Sequence, residues 1–243
     1  MKFSAIRFND RDVVLFRGKG LISAAIIIFC SLFKGRLLRD WITKKKRYSH
    51  IGRIVIMTQE LVNLMRQKIG IGLETIQHFQ DNVGKPFLLE STTMDVGLET
   101  FNGVRLVLMA DIVEYYRGLI VWRAFKIFRD GVWNGDSKYI KGLTEQERRA
   151  YYQFIFDTYH KPYEQHGFEL AGMGTPWQTG KNNNSDFACS EHSARFDISM
   201  GLLKRKANEF SPQNYAMGDA VDWELAMHDF TCCLGREIEI EKG

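Results

Sequence analysis

The chain has 243 residues, 45% of them hydrophobic, and a formal net charge of +4. That is enough apolar material for one sizeable core, and the charge balance is mild. The four cysteines, Cys30, Cys189, Cys232 and Cys233, form no C-x-x-C pair, which excludes a zinc ribbon or a dithiol redox motif. They are too few for a disulfide framework and fit a reducing compartment, with buried, inert thiols as the default for Cys30, Cys232 and Cys233.

Residues 12–17 read as a strand, stopped by Arg17-Gly18-Lys19-Gly20. A helix from about Leu21 to Trp41 follows. Its apolar part, Leu21 to Phe33, is shorter than the roughly 20 residues of a bilayer span. The charged strand before it is wrong for a signal peptide. The expectation is a cytoplasmic or otherwise soluble protein in which this helix is buried or interfacial. Lys34, Arg36, Arg39, Lys44, Lys45, Lys46 and Arg47 then hold most of the excess positive charge. They read as a solvated loop, with weak contact to an anionic membrane surface as the alternative. No aromatic residues interleave with them as stacking platforms, so no nucleic-acid partner is expected.

His50 to Met57 reads as a second strand. Residues 59–80 read as helix, with Leu61, Leu64 and Met65 at helical spacing. Pro86 to Glu90 is a third strand; Val104 to Met109 and Leu119 to Phe128 are two more, around a short helix at Asp111 to Tyr116. Thr144-Glu145-Gln146-Glu147 is a capping box whose helix Pro162 closes. Residues 181–186 form a polar loop, where Ser185 or Asp186 can cap a helix beginning near Phe187. The tail from Arg236 to Glu241 alternates apolar and acidic, as an edge strand does. There are no internal repeats. The fold class expected is α+β with a mostly antiparallel sheet, as a single domain over residues 1–243 with insertions near 34–47 and 58–85.

Three residues carry candidate chemistry. Either cap places Cys189 in the first turn of its helix, where unpaired N–H groups and the helix dipole stabilise an anion. The other reading is a small core residue. His50 enters an apolar strand and can turn its ring into a cleft as base for a nucleophile, or can be structural. Glu90 ends a strand and can orient such a histidine, or can face solvent. His192 is a competing base, ranked below His50 because a neighbour on the same helix points along the thiol rather than across a cleft. His50, Glu90 and Cys189 lack local metal-ligand spacing, so neither a metal nor another cofactor is expected.

The order of these motifs resembles the circularly permuted papain-fold amidases of the YiiX type, within the NlpC-like cysteine peptidase superfamily. Their opening strand is matched by Arg11 to Gly18, and their "SHVG" strand by Ser49-His50-Ile51-Gly52. Leu89-Glu90-Ser91 matches the acidic strand end, His160 to Glu164 a "GxPYD"-like step, and Phe187 to Ser193 the "FCSELV" helix start. Histidine precedes cysteine, as in the permuted group. The resemblance spans about residues 10–220 and implies Cys189 as nucleophile, His50 as general base and Glu90 as orienting group, with Tyr163 lining the cleft. It implies hydrolysis of an amide in a peptide, a cell-wall peptide or an acylated amine. Acyl transfer of the lecithin–retinol type is the nearest variant, and a non-catalytic binding protein on the same fold is a further alternative. Departures from the pattern are Ala188 between Phe187 and Cys189, His192-Ser193 in place of an apolar pair, and a segment near 211–219 that lacks its second proline.

Overall fold

The computed structural model describes residues 1–19, 48–92, 101–128, 139–163, 189–203, 210, 212–215 and 232–242. In chain order the strands are β1 (Val13–Arg17), β2 (His50–Ile56), β3 (Pro86–Thr92), β4 (Gly103–Leu108), β5 (Leu119–Arg123), β6 (Phe125–Phe128), β7 (Tyr139–Lys141), β8 (Cys232–Leu234) and β9 (Ile238–Glu239). The α-helices are α1 (Gln59–Met65), α2 (Leu73–Asp81), α3 (Met109–Tyr115), α4 (Glu145–Thr158) and α5 (Cys189–Ser199). A six-stranded sheet runs β4-β3-β2-β1-β5-β9, and a three-stranded one runs β7-β6-β8. Every pairing in both is antiparallel. This is a mixed α+β fold.

Both faces of the large sheet are buried, which is why its strands read as nearly unbroken apolar runs. Successive side chains alternate between the faces. Val13 and Leu15 of β1 pack with Ile51, Val121 and Cys189 on one side. Val14 and Phe16 pack with Ile54, Leu88 and Val107 on the other, under Met109, Ile112 and Val113 of α3. The first face continues through Val55, Phe87, Leu89 and Leu106, covered by Leu61, Phe79, Tyr151 and Ile155 of α1, α2 and α4.

The helix expected over 59–80 is two helices. The chain between them turns at Gly70, whose φ of +92° glycine adopts without strain. Leu61, Val62, Met65, Ile76 and Phe79 from these helices are all buried. The strand expected over 119–128 breaks at Ala124, so that β5 joins the large sheet and β6 the small one. Asp12 holds that corner: its carboxylate accepts from Trp122 Nε1 at 2.9 Å and from the Phe125 N–H at 2.9 Å. The capping box at Thr144 and Glu147 is formed. Its helix ends at Thr158, before Pro162, because the next residues pair along β4: His160 N–H donates to Val104 O at 2.8 Å and Val104 N–H to Lys161 O at 2.8 Å. The expected helix at Leu21 to Trp41, the basic cluster from Lys34 to Arg47 and the loop at 181–186 lie outside the described residues. Among the described residues no helix is long and apolar enough to cross a membrane.

Helix α5 is held to the sheet by charge. Asp197 sits between Arg11 and Arg53, at 2.6 Å and 2.7 Å, and all three side chains are fully buried. Arg11 Nη2 also donates to the Ser193 carbonyl at 2.9 Å. Aromatic rings surround the guanidiniums: Arg11 lies 5.0 Å from the Tyr151 ring centroid, and Arg53 5.1 Å from that of Tyr215. Such faces stabilise cations that have lost their water. Arg11 reaches its place from a left-handed backbone, φ +72°, unusual for a residue with a Cβ. Removing Asp197 would leave two like charges buried without their counter-ion. Asp197→Ala is therefore expected to cost about 3–5 kcal/mol of stability. Urea unfolding reads it, and an unchanged midpoint would contradict this account of how α5 is anchored.

Candidate active site

His50 is the first residue of β2, and Cys189 the first of α5. The β2–β3 register pairs Arg53 with Leu89, which sets Gly52 across from Glu90 and makes His50 the diagonal neighbour of that acid on the same face. Gly52 leaves the room this needs. A Cβ there would lie 2.7 Å from Leu88 Cδ1 and 3.0 Å from the Leu89 carbonyl oxygen. His50 Nε2 meets Glu90 Oε2 at 2.7 Å. An ionised carboxylate only accepts, so this contact assigns a proton to Nε2 and leaves Nδ1 as the ring's other site, and Cys189 is near enough for its charge to act on the ring. The structure thus brings together the three residues that the sequence singled out from positions far apart in the chain.

The surroundings are dry. His50 is 8% exposed, Glu90 2% and Cys189 5%. Phe16, opposite His50 on β1, packs its ring 5.4 Å from the imidazole, and Tyr116 meets Phe16 edge-on at 5.1 Å. Burial alone disfavours the charged imidazolium. The Cys189 sulfur, and then Glu90, outweigh it and push His50 up to about 10 from its ordinary 6.5. Burial likewise opposes the charge on Glu90, but His50 and Arg105 prevail and hold its carboxyl below the usual range.

Arg105 was not anticipated from the sequence. It stands directly opposite Glu90 on β4, and its Nε and Nη2 donate to Glu90 Oε1 at 3.1 Å and 2.9 Å. The available signal was a single charged residue inside the apolar run Val104 to Leu108.

His192 is directed elsewhere. Its Nε2 lies 3.0 Å from Thr158 Oγ1 on α4, and its ring packs 5.1 Å from Phe154. The Thr158 hydroxyl already donates to Phe154 O, so His192 Nε2 is the donor in this contact. Burial, then the charges of Arg11, Arg195 and Arg53, push His192 down to about 3, so it stays neutral at physiological pH. Tyr163 lies beside the β4 edge, where its backbone N–H donates to Asn102 O at 3.2 Å. His166 and His228 lie outside the described residues. Among the described residues no group of three His, Cys, Asp or Glu side chains is arranged to hold a metal ion.

The sequence matches no protein-family model and no curated protein. Among solved structures, the metalloprotein YiiX from Escherichia coli O157:H7 is similar over 97% of this chain and 97% of its own, with a TM-score of 0.43 and 14% sequence identity.

The His50 shift has a stability consequence. A raised folded-state value means that its contribution is fully present below 6.5 and is lost as pH rises through about 10. Unfolding free energy is therefore expected to fall across that window in the native chain and to stay flat in His50→Gln. Equal slopes in the two proteins would contradict the pairing of His50 with Glu90 and Cys189.

Proposed function

We propose that this protein is a cysteine hydrolase on a circularly permuted papain-like fold, cleaving an amide bond in a peptide, a cell-wall peptide or an acylated amine. The observation that carries the reading is one imidazole held between a buried carboxylate at 2.7 Å and a thiol at the start of a helix. The chain order His50, Glu90, Cys189 supports the permuted form.

His50 takes the thiol proton on Nδ1, and the Cys189 sulfur attacks the carbonyl carbon, forming a C–S bond. The tetrahedral oxyanion is met by backbone N–H groups at the start of α5, where the helix dipole favours negative charge. The C–N bond breaks as His50 returns its proton to the leaving amine. Neutral His50 then takes a proton from water, hydroxide adds to the thioester, and breaking of the C–S bond releases the acid. An alcohol or amine in place of that water would give acyl transfer by the same steps. Glu90 keeps the ring in the tautomer that both proton transfers need. Tyr163 is assigned to substrate contact along the cleft.

The test is alkylation of Cys189 by iodoacetamide across pH, followed at each cysteine by mass spectrometry. Cys189 should react well below pH 8 and faster than Cys30, Cys232 and Cys233. His50→Ala should slow it by about 10²-fold or more, whereas His192→Gln should stay near the native rate. Labelling of Cys189 no faster than the other cysteines would contradict catalysis and favour a binding role for the fold.

A further inference from the structure

We propose that Arg105 is a positioning residue that acts through Glu90 to keep the mobile proton on His50 rather than on the carboxylate. The inference rests on the hydrolase reading for its purpose, but its geometry stands apart from it.

Glu90 is a buried acid beside a buried base. Such a pair has two arrangements with the same number of protons: carboxylate with imidazolium, or carboxylic acid with neutral imidazole. In a dry site the neutral arrangement is favoured unless another charge opposes it. Arg105 is that charge. Arginine, unlike lysine or histidine, is a side chain that proteins keep charged. Arg105 grips Glu90 Oε1 with two N–H groups, at 3.1 Å and 2.9 Å. Moving a proton onto Glu90 would weaken both contacts and leave a cation facing a neutral acid in the interior. The grip also fixes the carboxylate in plane. With Oε1 taken by Arg105, Oε2 is the atom presented to His50 Nε2 at 2.7 Å. The β3–β4 register sets this arrangement, since Glu90 and Arg105 are direct cross-strand partners.

Cys189 is the other described group that favours the charge on the ring, and it acts on His50 rather than on Glu90. The remaining titratable group near Glu90 is Tyr116, which burial and the Glu90 charge push up to about 12 and which therefore stays neutral. The imidazolium that Arg105 preserves is the form of His50 that acts on the Cys189 sulfur. Arg105 thus sets the charge state of the base without touching the nucleophile.

The experiment is 15N spectroscopy of the His50 ring in the full chain, labelled at histidine, across pH. It reads proton location and needs no substrate. The native ring should be imidazolium at pH 7 and lose its charge near pH 10. Arg105→Met should give a largely neutral ring at pH 7, with imidazolium character lost at least about four pH units lower. Arg105→Lys, which keeps the charge and gives up the fork, should retain imidazolium at pH 7. An Arg105→Met ring that stays charged with the native midpoint overturns the proposal. Should Arg105→Met not fold, Glu90→Gln and Glu90→Gln/Arg105→Met carry the test, because neither leaves a carboxylate unpaired. Equal His50 midpoints in those two variants support action through Glu90, and a difference of about one unit or more overturns it. Slow Cys189 alkylation in the native chain would count against the hydrolase reading alone.

Discussion

The Asp197 carboxylate, clasped by Arg11 and Arg53, is the contact on which the placement of everything else depends. Helix α5 is nearly all interior, yet its first turns are Cys189, Ser190, Glu191, His192 and Ser193, none of them strongly apolar. Hydrophobic burial alone would dock such a helix poorly. The clasp supplies direction as well as energy, because Arg11 comes from the turn before β1 and Arg53 from the middle of β2. Cys189, Ser193 and Asp197 lie one turn apart along one face of α5. Fixing Asp197 over β1 and β2 therefore fixes where Cys189 projects, and His50 opens one of those two strands.

A second theme is the use of arginine inside strands. Arg53 and Arg105 have no exposed surface, and Arg123 has 4%. Each has a different task. Arg53 balances an acid on a helix, Arg105 balances one on a neighbouring strand, and Arg123 donates to carbonyl groups of Tyr215, Leu234 and Gly235. In the last case one guanidinium joins two segments to the end of β5.

Much of this was legible from the chain. Strands β1, β2 and β3 and the capping box at Thr144 rest on local pattern, which sequence carries directly. His50, Glu90 and Cys189 were legible through short motifs and their order. The interior arginines were not, because arginine in a sequence reads as a surface residue until its partner is known. Arg53 and Asp197 are 144 residues apart, and the Arg105 partnership depends on strand register. The break at Ala124 was hidden for the same reason: the Asp12 carboxylate that shapes it lies more than a hundred residues upstream. Within residues 59–80, helical spacing of the apolar residues masked the turn at Gly70.

The margins of the large sheet bear on how copies of this protein meet one another. An open strand edge offers a row of unpaired N–H and C=O groups, and another chain can add to it. Here β4 is flanked by the segment from His160 to Tyr163, whose Pro162 has no N–H to offer a further strand. At the other margin β9 is two residues long, and Met1 and Lys2 run beside it: Glu241 N–H donates to Met1 O at 2.9 Å, and Lys2 bridges Glu241. Both margins therefore oppose polymerisation through this sheet, so the chain can keep a densely apolar sheet interior without inviting fibre growth.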